Sequence, residues 1–183
     1  FGTLDWTAYF LAFWCVGVGH LLLGVLVSWR RPNDATARAH LLFCTTYGTF
    51  FMTNFDSIST GVFSRFPHNV AFSLLAASAW GLAARVPRAW RWMQGRLEWI
   101  AWLASLGLAA YVTWSFEQPA AWPAGFTWLT LTSELATLLI PLSAACAMAS
   151  RSSSPGERAQ GSWIGLGAMA AFVPPIAVNS LAL

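Results

Sequence analysis

Lysine is absent from this 183-residue chain, and all ten basic residues are arginine. Without a lysine amine no Schiff base can form, which excludes retinal-type chemistry. Charge of either sign is scarce, at 9% of residues against the roughly 25% usual in soluble domains. With 57% hydrophobic residues, that scarcity excludes an ordinary cytosolic globule, a disordered tail and a nucleic-acid-binding domain. A nucleic-acid binder gathers its basic residues on one polar surface; here they sit in short gaps between apolar blocks. Cysteine is equally sparse. Cys15, Cys44 and Cys146 each lie inside an apolar block, and their odd number and wide spacing suit neither a disulfide framework nor a metal site. They are expected to be buried small hydrophobes. Gly-x-Ser-x-Gly, Walker and Gly-x-Gly-x-x-Gly sequences are all missing, so the chain carries no enzyme signature.

What the sequence does have is apolar length. Blocks of about 20 residues match the thickness of a bilayer core at 1.5 Å rise per residue. Six of them fill the chain, over 6–29, 37–58, 69–84, 97–116, 126–149 and 162–183. They are too long and too continuously apolar for barrel strands, which alternate over about ten residues. A helix also satisfies its own backbone in hydrocarbon. The expected fold is therefore all-α and integral to a membrane: a bundle of about six transmembrane helices with short loops, forming one polytopic domain over 1–183. Pro32 with Asn33-Asp34 turns the chain after the first block, and Pro174-Pro175 interrupts the last. The start at Phe1, without a signal peptide, and the apolar run 177–183 suggest a piece of a longer protein.

The arginines orient the bundle. Arg30, Arg31 and Arg38 fall at the first gap, Arg85, Arg88, Arg91 and Arg96 at the third, and Arg151 and Arg158 at the fifth. Only Arg65 falls on the other side. Odd-numbered gaps are thus cytoplasmic, and the N-terminus is outside a bacterial inner membrane. The tryptophans agree. Trp6, Trp114, Trp122 and Trp128 sit near outer boundaries, and Trp29, Trp90, Trp92, Trp99 and Trp163 near inner ones, as an interfacial aromatic belt requires.

Ionisable groups inside a span are costly and are candidate functional groups by default. Glu134 lies in the fifth block, Asp56 with Asn54 near the outer end of the second, and His20 deep in the first. Thr127, Thr130, Glu134, Thr137 and Pro141 share one helical face by their spacing of three and four. Thr46, Thr49, Thr53, Asp56 and Thr60 form a second such stripe. Two readings compete. The hydroxyls bond carbonyls of the preceding turn and join helices, or the stripes wall an outward polar cavity whose carboxyls bind a cation or a ligand amine. The candidate ligand-binding set is Asp56, Glu134, Asn54, Thr130, Thr137 and His20. For His20 a helix–helix hydrogen bond is the plainer expectation. His40 and His68 are placed at opposite surfaces, so the three histidines cannot form a metal triad. The residues name no cofactor.

Two stretches carry a resemblance. Trp29-Arg30-Arg31-Pro32-Asn33-Asp34-Ala35-Thr36-Ala37-Arg38-Ala39-His40-Leu41-Leu42-Phe43 resembles the first cytoplasmic turn of the multi-span sensor region that precedes bacterial histidine kinases and sporulation-type serine phosphatases. The stretch from Pro155 through Glu157, Arg158 and Gln160 to Ala168 is similar to that family's P-x-E-R-x-Q turn, whose following span carries a proline like Pro174. The resemblance implies a seventh span and a cytoplasmic output domain, neither within these residues, and transfers no ligand. It makes a membrane sensory and signalling module the first functional expectation. An accessory subunit of a larger, energy-transducing membrane complex is the alternative, and a small transporter using Glu134 and Asp56 a third. The expected partners are the lipid bilayer, then partner membrane subunits or a second copy of the chain, with no nucleic acid.

Overall fold

The computed structural model describes residues 3–59, 65–86, 91–117, 139, 143, 147, 151, 154–159, 161–163 and 166. The protein is all-helical, with no strand among these residues. Four helices follow in order: α1 (Thr3–Arg30), α2 (Ala35–Ser59), α3 (Arg65–Ala83) and α4 (Arg96–Glu117). They pack as a row in which α1 contacts α2, α2 contacts α3, and α3 contacts α4. Leu139, Ser143, Ala147, Arg151, Pro155–Ala159 and 161–163 are helical as well.

Local chemistry sets the boundaries. The α1 ladder closes with the Arg31 N–H donating to the Val27 carbonyl at 3.1 Å, and Pro32 stops it there. Asp34 then caps α2. Its Oδ1 accepts from the Thr36 N–H at 2.8 Å, and its own carbonyl accepts the first helical bond, from the Arg38 N–H, at 3.1 Å. Helix α3 starts one turn before the apolar block does. Pro67 is tolerated there because the first turn of a helix has no partner for its N–H groups. Ahead of α4, Gly95 takes φ +74°, the left-handed conformation glycine adopts without a Cβ penalty.

The α1–α2 contact is close because small residues meet across it. A Cβ on Gly48 would stand 2.7 Å from the Gly17 carbonyl oxygen, and one on Gly24 2.7 Å from the Cys44 Cβ. This is the backbone approach that small residues permit in helix pairs. Gly19, by contrast, faces open space. Cys44 is buried as expected, but Cys15 lies exposed on the outward side of α1. Its position follows from helical phase. Gly17 and Gly24, seven residues apart, mark the packed face, and Cys15 is two residues off that line. Cys146 is outside the described residues.

Among the described residues two stretches, Phe10–Arg30 and Arg96–Trp114, are long and apolar enough to cross a membrane. These belong to the two helices at the ends of the row, and their large apolar side chains face outward. Leu22, Leu23, Val25 and Leu26 of α1 and Ile100, Leu103 and Leu106 of α4 are each 44–65% exposed. The inner helices α2 and α3, packed on both sides, instead carry the hydroxyls and small residues: Thr46, Asn69, Ser73 and Ser78 are all buried. The most apolar helices are the least covered by protein, which reverses the arrangement of a water-soluble bundle.

Candidate functional site: a charged recess at the arginine end

The row brings the start of α2, the end of α3 and the start of α4 to one end of the structure. There they surround a recess of about 220 Å³. Helix α2 lines it with Ala35, Arg38, Ala39 and Leu42, α3 with Ser78 and Gly81 and, just past its end, Arg85, and α4 with Glu98 and Trp102. The spacings of three, four and seven mean that each helix offers a single face. Small, buried Ser78 and Gly81 on α3 form the floor, and α2 and α4 form the walls.

Arg85 and Glu98 hold α3 against α4. Arg85 Nη1 donates to Glu98 Oε1 at 2.7 Å and Nη2 donates to Oε2 at 3.0 Å, a bidentate pair. Nη1 also donates to the Gly81 carbonyl at 2.8 Å, at the open C-terminal end of α3. Both side chains are about four-fifths buried, at 22% and 19% exposure. Glu98 lies in the first turn of α4, where the helix dipole favours an anion. Three of the five guanidinium N–H groups are thereby used. Arg38 differs: it is exposed on the opposite wall, and no hydrogen bond or ion pair holds its side chain among the described residues. The recess therefore carries two guanidinium groups against one carboxylate.

The connection between α3 and α4 is tied down beside this pair. The Trp80 indole donates to the Met93 carbonyl at 2.9 Å, and the Gln94 amide donates to the Ala84 carbonyl at 3.0 Å. Ala83, Ala84 and Met93 pack together beneath Trp80.

Of the candidates read from sequence, the structure describes one side chain. His20 is half-buried in α1; its Nδ1 donates to the Val16 carbonyl of its own helix at 2.8 Å. Its ring, not a hydrogen bond, meets α2, 4.9 Å from the Tyr47 ring and stacked at 6.3 Å on Phe51. Asn54 and Asp56 belong to the last turns of α2, with side chains outside the described residues. Thr130, Glu134 and Thr137 lie outside them altogether, as does the facing of the second and fifth blocks. In the threonine stripe of α2, Thr46 donates to the Leu42 carbonyl at 2.8 Å and Thr53 to the Thr49 carbonyl at 2.7 Å. That is the back-bonding arrangement.

One placement read from sequence is corrected here, and one pairing was not anticipated. His68 lies in the first turn of α3, not in a surface loop; its ring stacks on Phe50 at 5.0 Å and its Nδ1 stands 3.2 Å from the Thr53 hydroxyl. The pairing of Arg85 with Glu98 is the one not anticipated. Opposite charges at the two edges of a helix–helix connection are the signal that marks such a pair. Among the described residues no three His, Cys, Asp or Glu side chains stand close enough to hold a metal.

No protein-family model matches the chain, and neither the curated proteins nor the solved structures compared with it gave a match.

Proposed function

We propose that the chain is an integral membrane sensory module, a bundle of about six spans whose arginine-rich end faces the cytoplasm and whose role is non-catalytic. The observation that carries the membrane part is the outward apolar surface of α1 and α4. Burying a leucine-sized side chain is worth about 1.5–3 kcal/mol, so a helix facing water would turn such residues inward. Here they face outward, while Thr46, Ser73 and Ser78 lie within. The arginines support the orientation. Arg30, Arg31 and Arg38 around the first connection and Arg85, Arg91 and Arg96 around the third share the recess end. Arg65 begins α3 at the other end. Trp29, Trp92 and Trp99 are exposed around the arginine end, in keeping with an indole belt.

The signalling part rests on the resemblance of residues 29–43 and 155–168 to the sensor regions of kinases and phosphatases. In this reading a stimulus favours one helix packing over another, and the bias passes to a cytoplasmic output domain. Two measurements test it. In a background with Cys15, Cys44 and Cys146 replaced by alanine, Arg31→Cys and Arg91→Cys react with an impermeant maleimide only after the cytoplasmic face is opened, and Phe66→Cys reacts in intact cells. Labelling of positions 31 or 91 from outside refutes the orientation. A kinase, phosphatase or cyclase domain following Leu183 in the reading frame supports signalling, and a stop codon there refutes it. The outward faces of α1 and α4 suit an accessory subunit equally well; stoichiometric partner helices co-purifying with the native protein decide for that role.

A further inference from the structure

We propose that the recess between α2, α3 and α4 binds the phosphate headgroup of a single anionic phospholipid, with Arg38 as its principal contact. The inference rests on the membrane reading above, which places this end at the inner leaflet. Charge is the first argument. Arg85 is matched by Glu98 through two hydrogen bonds, while Arg38 on the facing wall is left with no partner among the described residues. The recess therefore carries one unbalanced positive charge, the complement of one phosphodiester. Basic pockets between helices on the cytoplasmic side are where such headgroups are held, and guanidinium suits phosphate because its planar N–H fork can donate twice. Arg85 keeps two N–H groups beyond those it gives to Glu98 and Gly81.

Size and surroundings narrow the occupant. At about 220 Å³ the recess is smaller than the roughly 300–1,000 Å³ that enclose drug-sized ligands, and it suits a headgroup whose chains lie elsewhere. Those chains have a path. One turn further from the recess end than Arg38 stands Leu42, 50% exposed, and one turn beyond Trp102 stands Leu106, 53% exposed. The two walls thus change from charged to apolar along the direction in which an inner-leaflet lipid descends. A soluble phosphate would have no use for that gradient.

The test uses the full chain in neutral detergent, titrated with phosphatidylglycerol or phosphatidylcholine and followed by native mass spectrometry. The wild type is expected to retain one phosphatidylglycerol in preference to phosphatidylcholine. Arg38→Gln is expected to bind it about tenfold or more weakly, the loss of one charge-assisted hydrogen bond. Arg38→Lys recovers part of the affinity, and Arg31→Gln, which removes a neighbouring exposed charge outside the recess, leaves it unchanged. Circular dichroism checks that each variant stays helical. Equal retention by wild type and Arg38→Gln overturns the proposal, and so does displacement of the lipid by excess inorganic phosphate, which would mark an anion site indifferent to acyl chains. Release of the protein from its membrane by alkaline carbonate instead overturns the membrane reading itself.

Discussion

The Arg85–Glu98 pair gives the sharpest energetic prediction. Substituting Glu98→Gln keeps the size of the side chain and one acceptor, but removes the charge and one of two hydrogen bonds at 2.7 and 3.0 Å. The guanidinium, 22% exposed, is left without its counter-ion. A hydrogen bond to a charged group contributes about 1.5–3 kcal/mol, and stranding a buried charge costs about 3–5 kcal/mol. The recess gives water some access, which reduces the second figure. A loss of about 2 kcal/mol is therefore expected, close to a 30-fold shift in the folded-to-unfolded ratio at 1.4 kcal/mol per decade. Reversible unfolding by SDS in mixed micelles measures it. A double-mutant cycle with Arg85→Gln isolates the pair and is expected to show a coupling above about 1 kcal/mol. The control is Arg31–Asp34, at 4.0 Å with 76% and 37% exposure, whose coupling should lie within the small range of surface pairs, about 0.2–1 kcal/mol. Equal couplings for the two pairs would refute the argument, because geometry and burial are all that separates them.

Gly48→Ala should destabilise the protein by about 1–3 kcal/mol through overpacking, since its Cβ would stand 2.7 Å from the Gly17 carbonyl and a backbone must move. Gly19→Ala, facing open space, should instead be stabilising by about 0.5–1 kcal/mol; the same SDS titration reads both, and a Gly48→Ala variant as stable as wild type refutes the close-contact account. Trp80→Phe removes the indole donor to the Met93 carbonyl, so amide exchange at residues 91–95 should accelerate about fivefold, the equivalent of about 1 kcal/mol. Unchanged exchange there would show that the packing beneath Trp80 holds the connection alone. Thr53→Val removes the hydroxyl that stands 3.2 Å from His68 Nδ1 across the α2–α3 contact and should cost about 1 kcal/mol, whereas Thr46→Val, whose hydroxyl serves only its own helix, should cost less.

Where a helix ends at a residue that cannot continue it, the sequence was sufficient. Pro32 and Asp34 act through a missing N–H and a capping carboxylate, both local, and α1 and α2 stop and start beside them. The start of α3 was less legible because a hydropathy pattern detects the apolar part of a helix and not its polar first turn. Arg65, Pro67 and His68 read as loop, yet His68 is held in the helix by Thr53 and Phe50 from α2. The recess was illegible for a deeper reason. Arg85 and Glu98 are 13 residues apart across a connection, and Arg38 belongs to another helix, so their meeting depends on which faces pack. Read along the chain, each arginine is only a marker of membrane side. Cys15 shows the same limit, since its apolar neighbours cannot say which side of α1 meets α2.

These placements have a common physical cause in the solvent that surrounds each helix. If lipid covers α1 and α4, their outward faces can carry no group that needs water, and nearly all polar chemistry must go to α2, α3 and the ends. In α2 and α3 it does so at little cost, because Thr46, Thr53, Ser73 and Ser78 each spend their proton on a carbonyl three or four residues back. None of these hydroxyls is left to recognise a ligand by donating to it. Full charges cannot be satisfied that way, since no backbone group cancels them. Arg85 accordingly lies just past the end of one helix and Glu98 in the first turn of the next, where both helix ends favour the charges they receive. Among the described residues, the charged side chains that meet between helices are therefore at the arginine end, within reach of water, where the inner helices hold the three walls of the recess in place.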